Sequence, residues 1–569
     1  MLQLVIIWVI LLFECLMFGV ATKELIDKAI GNNLEVKSVD FFYSILIGFI
    51  VINTLIQGIC LIRSIDIYVQ IIFLVFSLFI AYYKRREIYK MLEIFISEMP
   101  QGYGVLFVVI LVTVLLAASC KVWADDTYGY HAQTVRWIEE MGTVRGIANI
   151  HMRLGYNSAV FAISALYSFV DVFQQSIRGI NGFIVVFCGS LILFQIMEIK
   201  EHKYFWGDGI VFSIVYYIYY IRHEISSLDN CSFSILFCLV IVLLWCRVLE
   251  RLDTEEHLFY LTLFIVYLVT VKMNQAPLGL LCLLFLGSQV LKKRKYRESM
   301  VWGIITFTVI GVWMVRNIFV SGYLIYPFYQ IDLFSVDWKV PVEVAQNDYN
   351  WIIAWARTGV RGLETALGVG LSWMPIWFED LWNSSKILSW AVILGPVSMV
   401  LVGIYIFKKK KDAIPFFLSL CIAYVYWLLS APSLRFGMGW VLAIYGILLG
   451  CLLHFICKYK SIYIKKIICL LFLCAIEAEL LVNLNMTVTN IDKQIGRQKD
   501  YTDDQYDYGY LEMGNDVVIW FPVMDEHSNG HAGYWNFPAT NEFWTLTHLE
   551  LRGGSLKDGF RTNYNINNF

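Results

Sequence analysis

Fourteen apolar runs, most near the ~20 residues that carry a helix across a bilayer, constrain this chain more than any other feature. They fall at 1–20, 41–62, 66–83, 104–120, 178–198, 204–221, 231–249, 258–271, 277–291, 299–319, 388–407, 414–430, 438–457 and 465–485. Backbone polar groups in lipid must be satisfied within the segment, so such runs are helices. Composition agrees, with 59% hydrophobic and 16% charged residues and a mean hydropathy of +0.63, against about a quarter charged in a soluble protein. The expected fold is an all-α polytopic membrane bundle of about 12–14 spans over 1–485, followed by a tail, 486–569. The net charge of −2 gives no reason to expect nucleic-acid binding. The first run lacks a basic flank and contains Glu14, which marks a retained helix rather than a signal peptide. All 13 cysteines precede residue 475, mostly inside apolar runs and without metal-ligand spacing, so they read as small core residues.

Basic clusters set the orientation. KRREIYK at 84–90, KKRKYRE at 292–298, KKKK at 408–411 and KYKSIYIKK at 458–466 all fall between runs on one side, expected to be cytoplasmic. That places 121–177, 222–230, 320–387, 431–437 and the tail outside a cell membrane, with both termini extracytoplasmic. The apolar stretch 158–170 then cannot cross fully and is expected on, or dipping into, the outer leaflet. The tail holds twelve Asp/Glu against six Lys/Arg, and β-prone runs such as DVVIWFPV suggest a small cap.

Residues 121–161 gather the densest chemistry. Asp125 and Asp126 end the fourth run, where a helix C-terminus disfavours negative charge. They serve either as a helix exit into water or as a general base or metal ligand. His131, Val135 and Ile138 then share one helical face and Arg136, Glu139 and Glu140 the other, the pattern of a helix lying along a membrane surface. Arg145, His151, Arg153 and Asn157 follow. In later outer loops Asp229 reads as a helix cap or a second carboxylate, and Lys272 as a snorkelling or an anion-binding lysine. Arg316 and Arg435 sit at outer helix ends. Three cations opposite the Asp pair are expected to converge on one phosphate-sized site. His454, Glu477 and Glu479 fall inside runs and would serve a transporter.

One amphipathic outer loop after an early span, with an acidic start, resembles the first outer loop of the GT-C superfamily of polytopic glycosyltransferases. DTYGYHAQTVRWIEEMGTVRGIANIHMRLGYNS is similar to a bacterial branch with a D-T-x-x-Y-H start and an R-L-x-x-N-S end. RNIFVSGYLIYPFYQIDLFSVDWKVP and LELRGGSLKDGF resemble the same branch, so the likeness runs over nearly the whole chain. The resemblance implies an enzyme that transfers a sugar from a polyprenyl-phosphate donor to an extracytoplasmic acceptor. It places Asp126 at the catalytic acid position, with Asp125 sharing or assisting, and Tyr130, His131, Arg153 and Asn157 in the remaining motif positions. Lys272, Arg316 and Arg435 would neutralise the departing phosphate, and Asp229 matches a second acidic position. A WWD-type oligosaccharyltransferase signature is absent, which leaves the acceptor class open. No cofactor is demanded; a divalent cation on the carboxylates stays open. The alternatives are a transporter or flippase of a lipid-linked saccharide, or a polymerase or ligase using Lys339, Arg357 and Arg361 of the long 320–387 loop.

Overall fold

The computed structural model describes residues 1–31, 36–99, 101–197, 206–359, 361, 363–368, 370–457, 497–501, 507–523 and 530–563. The chain opens with α1 (Leu2–Ile30), α2 (Asp40–Cys60), α3 (Ile67–Tyr83), α4 (Arg85–Ser97) and α5 (Tyr103–Ala118). The first loop carries α6 (Ala132–Glu140), α7 (Ala159–Leu166) and α8 (Val170–Phe173). Next come α9 (Ile180–Met197), α10 (Trp206–Tyr220), α11 (Asn230–Leu249), α12 (His257–Val271), α13 (Gly279–Leu291) and α14 (Tyr296–Ser321). A second long loop holds α15 (Val342–Thr358), α16 (Leu363–Ala366) and α17 (Met374–Ser384) before α18 (Lys386–Lys409), α19 (Ile414–Ser430) and α20 (Leu434–Cys457).

Each of the first thirteen expected spans coincides with a helix. The fourteenth, 465–485, lies outside the described residues, as do the basic stretch 458–466, Glu477 and Glu479. Among the described residues eight helices are long and apolar enough to cross a membrane, or nine if α3 and α4, bent by 82°, count as one. This multi-pass bundle has fewer full-length spans than the 12–14 expected. The shortfall lies in helices such as α12, 15 residues long and shorter than a bilayer requires, and α10, of which 15 residues are described. Both are buried on nearly all sides, so neighbouring helices rather than lipid solvate them.

Close helix contacts rest on small residues. A Cβ on Gly19 would lie 1.8 Å from the Ser44 carbonyl oxygen, and one on Gly48 would lie 1.8 Å from that of Cys15. The α1–α2 backbones therefore touch where only glycine fits. The same device joins α10 to α20, where a Cβ on Gly209 would meet the Gly446 carbonyl oxygen at 1.9 Å.

The three described basic clusters gather at one end of the bundle. Lys84 pairs with Glu24 near the end of α1, Lys293 with Glu255 before α12, and Arg297 approaches Gly31. Tyr405, near the end of α18, meets the Trp206 ring edge-on, and the Trp206 backbone N–H donates to Glu250 at 2.6 Å. The opposite end, the loop face, carries the first loop, the second loop and the described part of the tail. There Gln498 N donates to Gln3 at 2.8 Å and Gln498 Nε2 to the Ala118 carbonyl at 2.6 Å.

The tail forms two antiparallel pairs, β1 (Tyr508–Gly514) with β2 (Val517–Pro522) and β3 (Leu549–Leu551) with β4 (Phe560–Thr562). Asn515 and Asp516 make the first turn with φ of 51° and 59°, the left-handed pair that matches strand twist in a two-residue hairpin. The tail shares a hydrophobic core with the first loop, in which Trp137, Ile147 and Leu154 pack with Val320, Ile519, Leu549 and Phe560.

Two expectations for the first loop are corrected. α6 does not lie open along a membrane surface. Gln133 donates to the carbonyls of Gly533 (3.1 Å) and Asn536 (2.8 Å), and Arg136 to that of Trp535 (2.6 Å). Glu139, on the face expected to be polar and open, is buried and accepts from Ser176 Oγ (2.9 Å) and Tyr534 OH (2.8 Å). α7 is buried along its whole length instead of presenting a lipid face on the leaflet. A helix apolar all round belongs inside protein, and Ser158 Oγ fastens its start to the Val271 carbonyl at 2.7 Å.

Two outcomes test this architecture. In a cysteine-free background, Trp123→Cys and Lys557→Cys should react with an impermeant maleimide from the same side of sealed vesicles and Lys292→Cys from the other. Labelling of Lys557→Cys together with Lys292→Cys would break it. Gly48→Val should force α1 and α2 apart and cost about 2–3 kcal/mol, the scale of overpacking, read as a lowered melting temperature in detergent.

Candidate functional site

The site begins where the first loop is strapped to the loop before α11. Ser226 Oγ donates to the Lys121 carbonyl at 2.7 Å, and Ser227 Oγ accepts the N–H groups of Trp123 and Ala124, both at 3.2 Å. Leu228 N donates to Thr127 Oγ1 at 3.2 Å. Arg178 reaches under the same strap, donating Nε to the Ser226 carbonyl at 3.0 Å and stacking over Tyr501 of the tail at 4.4 Å. Thr127–His131 then form a single wide π-turn that runs into α6. Such turns recur at functional sites because they re-aim side chains. Here the turn starts immediately after Asp126.

Asp126 is partly buried and shared by two arginines. Arg435, in the first turn of α20, donates Nη2 to Asp126 Oδ2, and Arg153 Nη1 lies 3.8 Å from Oδ1. Burial pushes the Asp126 carboxyl up, but the surrounding positive groups together, Arg435 foremost, hold it well below the usual carboxylate range. Asp125, one position earlier, is exposed. Arg435 also sits 5.4 Å from the Trp355 ring and 3.4 Å from Cys231 Sγ. Arg153 lies over the Tyr130 ring at 5.6 Å.

Lys272 enters the same cluster. The backbone is extended there, at φ −154°, between α12 and a 3-10 turn, which aims the side chain across the bundle. Its Nζ contacts Cys231 Sγ and lies 4.9 Å above the Phe436 ring, without an ion pair among the described residues. Two cations thus face a thiol, a weak acceptor. Asp229 caps α11, accepting from Cys231 N (3.3 Å) and Ser232 N (2.7 Å). Burial raises Asp229, but Arg435, the Ser232 hydroxyl and Lys272 hold it below its ordinary value. His131 is fully buried between Tyr130 (4.3 Å) and Phe161 (4.8 Å), and both ring nitrogens lack hydrogen-bond partners among the described residues. Burial lowers it to about 4, against the pull of Asp126 and Asp229, so it is neutral at pH 7.

Asp126, Arg153, Asp229, Lys272, Arg435 and His131 are therefore brought together. Arg316 is not. It is buried against Thr143, to whose Oγ1 it donates at 3.2 Å, and beside Cys60. The expected convergence of three cations holds for Lys272 and Arg435 only, because Arg316 lies on the far side of the first loop. Asn157 is a brace rather than a binding group. At φ 44° it donates to Asn317 Oδ1 (2.9 Å), while its carbonyl accepts Trp313 Nε1 (2.8 Å), pinning the loop to α14.

The cations offered for a polymerase are also occupied. Lys339 pairs with Asp332 and Arg361 with Asp380, while Arg357 donates to the carbonyls of Ala366 and Leu429. His454 packs between Tyr405 and Phe455 near the opposite end of the bundle. Among the described residues no three His, Cys, Asp or Glu side chains converge as metal ligands.

Sequence reasoning missed Cys231, Trp355 and Glu224. Cys231 looked like core, and Trp355 lies in a loop read only for its charges. Asp229 and Ser232 stand at a spacing that one turn of helix brings together, but Glu224 reaches them from the preceding loop and carries no signal of its own.

No curated protein and no solved structure matches the chain. Residues 1–442 match the family described as Domain of unknown function (DUF8201). That span takes in every element of the site from Asp125 to Arg435, while β1 to β4 lie beyond it. By that match the chain belongs to the DUF8201 family.

Proposed function

We propose that the chain is a GT-C-type glycosyltransferase, moving a sugar from a polyprenyl-phosphate donor to an acceptor hydroxyl on the extracytoplasmic side, with the loop face outward. One observation carries the reading: a loop carboxylate, Asp126, is tied to Arg435, which together with Lys272 converges on the Cys231 thiol, a weak acceptor. Two underused cations at the end of a lipid-facing bundle suit an anionic headgroup whose tail stays in the membrane. The likeness of the first loop to the GT-C branch points the same way.

In this reading the donor phosphate takes the place of Asp126 on Arg435 and reaches Lys272. Losing Arg435 returns Asp126 toward an ordinary carboxylate, basic enough to accept a proton. The acceptor hydroxyl gives that proton to Asp126 while its oxygen attacks the anomeric carbon. The carbon–oxygen bond to phosphate breaks, and its electron pair stays on the phosphate, where Lys272 and Arg435 stabilise the charge. Arg153 keeps one Asp126 oxygen in place and leaves the other for the acceptor. Neutral His131 lines the wall beside the carboxylate.

Purified protein with defined polyprenyl-phosphate sugars tests this. Asp126→Asn keeps the shape and should lower transfer by about a hundredfold or more, the usual share of a general base, with donor still bound. Asp125→Asn should lose less than about tenfold. The reverse order would move the role to Asp125, and full activity in both would sink the mechanism in favour of a transporter. Lys272→Gln should weaken donor binding by about tenfold or more, the value of a hydrogen bond to a charged group. Unchanged donor affinity would remove Lys272 from the phosphate site.

A further inference from the structure

Glu224 and Asp229 stand on either side of one hydroxyl. Ser232 Oγ, in the first turn of α11, lies 2.8 Å from Glu224 Oε2 and 2.5 Å from Asp229 Oδ2. A serine hydroxyl carries one hydrogen, so it donates to only one of two carboxyl groups. The other contact needs a hydrogen from the carboxyl side. Asp229 already accepts the N–H groups of Cys231 (3.3 Å) and Ser232 (2.7 Å), so the hydroxyl hydrogen completes a carboxylate cap there. The remaining hydrogen belongs to Glu224, which donates it to Ser232 Oγ.

The surroundings put the proton on the same residue. Glu224 is faced by Asp229 on its own loop, by Arg435 from α20, by Asp126 from the first loop and by Tyr217 and Tyr220 from α10. Burial raises Glu224, and the Asp229 charge adds to it, bringing the group to about 7. Arg435 and Lys272 hold Asp229 in the charged form against burial. Glu224 is half-buried rather than enclosed, so its proton exchanges with water.

We propose that Glu224, Ser232 and Asp229 hold one shared proton, which the site takes up when a phosphodiester anion binds between Lys272 and Arg435. The inference rests on the phosphate-site reading above. A bound anion adds negative charge beside the pair and draws Arg435 away from Asp229, and both changes favour the protonated form. The pair's pKa is therefore higher in the complex than in the free protein. Below the free value the proton is already present and affinity is constant. Between the free value and the higher value of the complex, each binding event takes up a proton from water and affinity falls as pH rises; above the latter it levels off again.

Full-length protein in detergent is titrated with a polyprenyl-phosphoglucose, whose diester does not ionise near neutrality. Calorimetry from about pH 6 to 8.5, in two buffers of different ionisation enthalpy, counts protons. Sulfate serves as the free inorganic anion. The expected result is a flat Kd below pH 7 that weakens by up to about tenfold per pH unit above it, with fractional proton uptake that rises through pH 7 to 8. Glu224→Gln should bind with a flat profile and no uptake. If that variant does not fold, Ser232→Ala should move the midpoint away from 7. Wild-type binding without uptake, Glu224→Gln retaining the slope, or an unmoved midpoint in Ser232→Ala would overturn the inference. Proton-coupled binding of the lipid alone identifies a headgroup, and equal binding of sulfate identifies a free anion. No binding of either probe at any pH overturns the phosphate site itself, an outcome distinct from pH-flat binding.

Discussion

A carboxylate taken out of water must find its counter-charges elsewhere, and Asp126 finds them in two segments remote from it in sequence. Arg153 comes from the same loop after a full excursion through α6, and Arg435 from the start of α20. At an effective dielectric near 20, unit charges about 4 Å apart attract by about 4 kcal/mol. Desolvation takes back much of that, so the arrangement persists only if all three backbones are held by other means. They are. Ser226 and Ser227 fix the segment before Asp126. Trp427 Nε1 donates to the Ser433 carbonyl and Trp377 Nε1 to that of Pro432, fixing the turn that carries Arg435. Glu542 of the tail accepts from Met152 N at 3.3 Å, one residue from Arg153.

The loop face is thus a second folded layer with its own logic. Trp137 is fully buried, in a cluster to which α14 contributes Val320 and the tail most of the other partners beyond the first loop. Phe537 (4.7 Å) and Phe560 (6.0 Å) of the tail supply the cover. The tail lies beyond the family match, but the first loop cannot bury its apolar face without it. Asp126 and the tail are linked through one short stretch, 130–153, which packs on the tail while ending in the arginine that holds the carboxylate.

Much of this was legible in the sequence, and the limits are physical. Hydropathy located thirteen helices because apolar length is a local property. The three described basic clusters group at one end of the bundle, as their alternation suggested. Asp126 stood out because a negative charge at a helix exit is unfavourable without a partner, and Arg435 is that partner. Amphipathicity was the weaker guide. It marked the polar face of α6, but periodicity does not say what covers a polar face, and protein covers this one. Arg316 and Asn157 failed for a related reason: a polar group at a helix end can meet a ligand or a neighbouring backbone, and both met backbone or hydroxyl groups of the fold. Glu224 was overlooked because a lone glutamate in a loop has no signature. Its meaning comes from Ser232, a helical residue that reaches back to it.

The balance of charge around Asp126 shows what such a site selects. Arg153, Lys272 and Arg435 bring three positive charges, Asp126 and Asp229 two negative ones, and a protonated Glu224 adds none. The surplus charge is borne by Lys272, which contacts a thiol and an aromatic face instead of a carboxylate. A neutral sugar gains nothing from that surplus, and a cation is repelled by it. An anion with two or more oxygens can meet Lys272 and Arg435 at once, and in doing so releases Asp126 from its strongest partner. In the proposed reaction, recognition of the anion and activation of the carboxylate would then be the same event, with Asp126 a poor base until the charge that displaces it arrives.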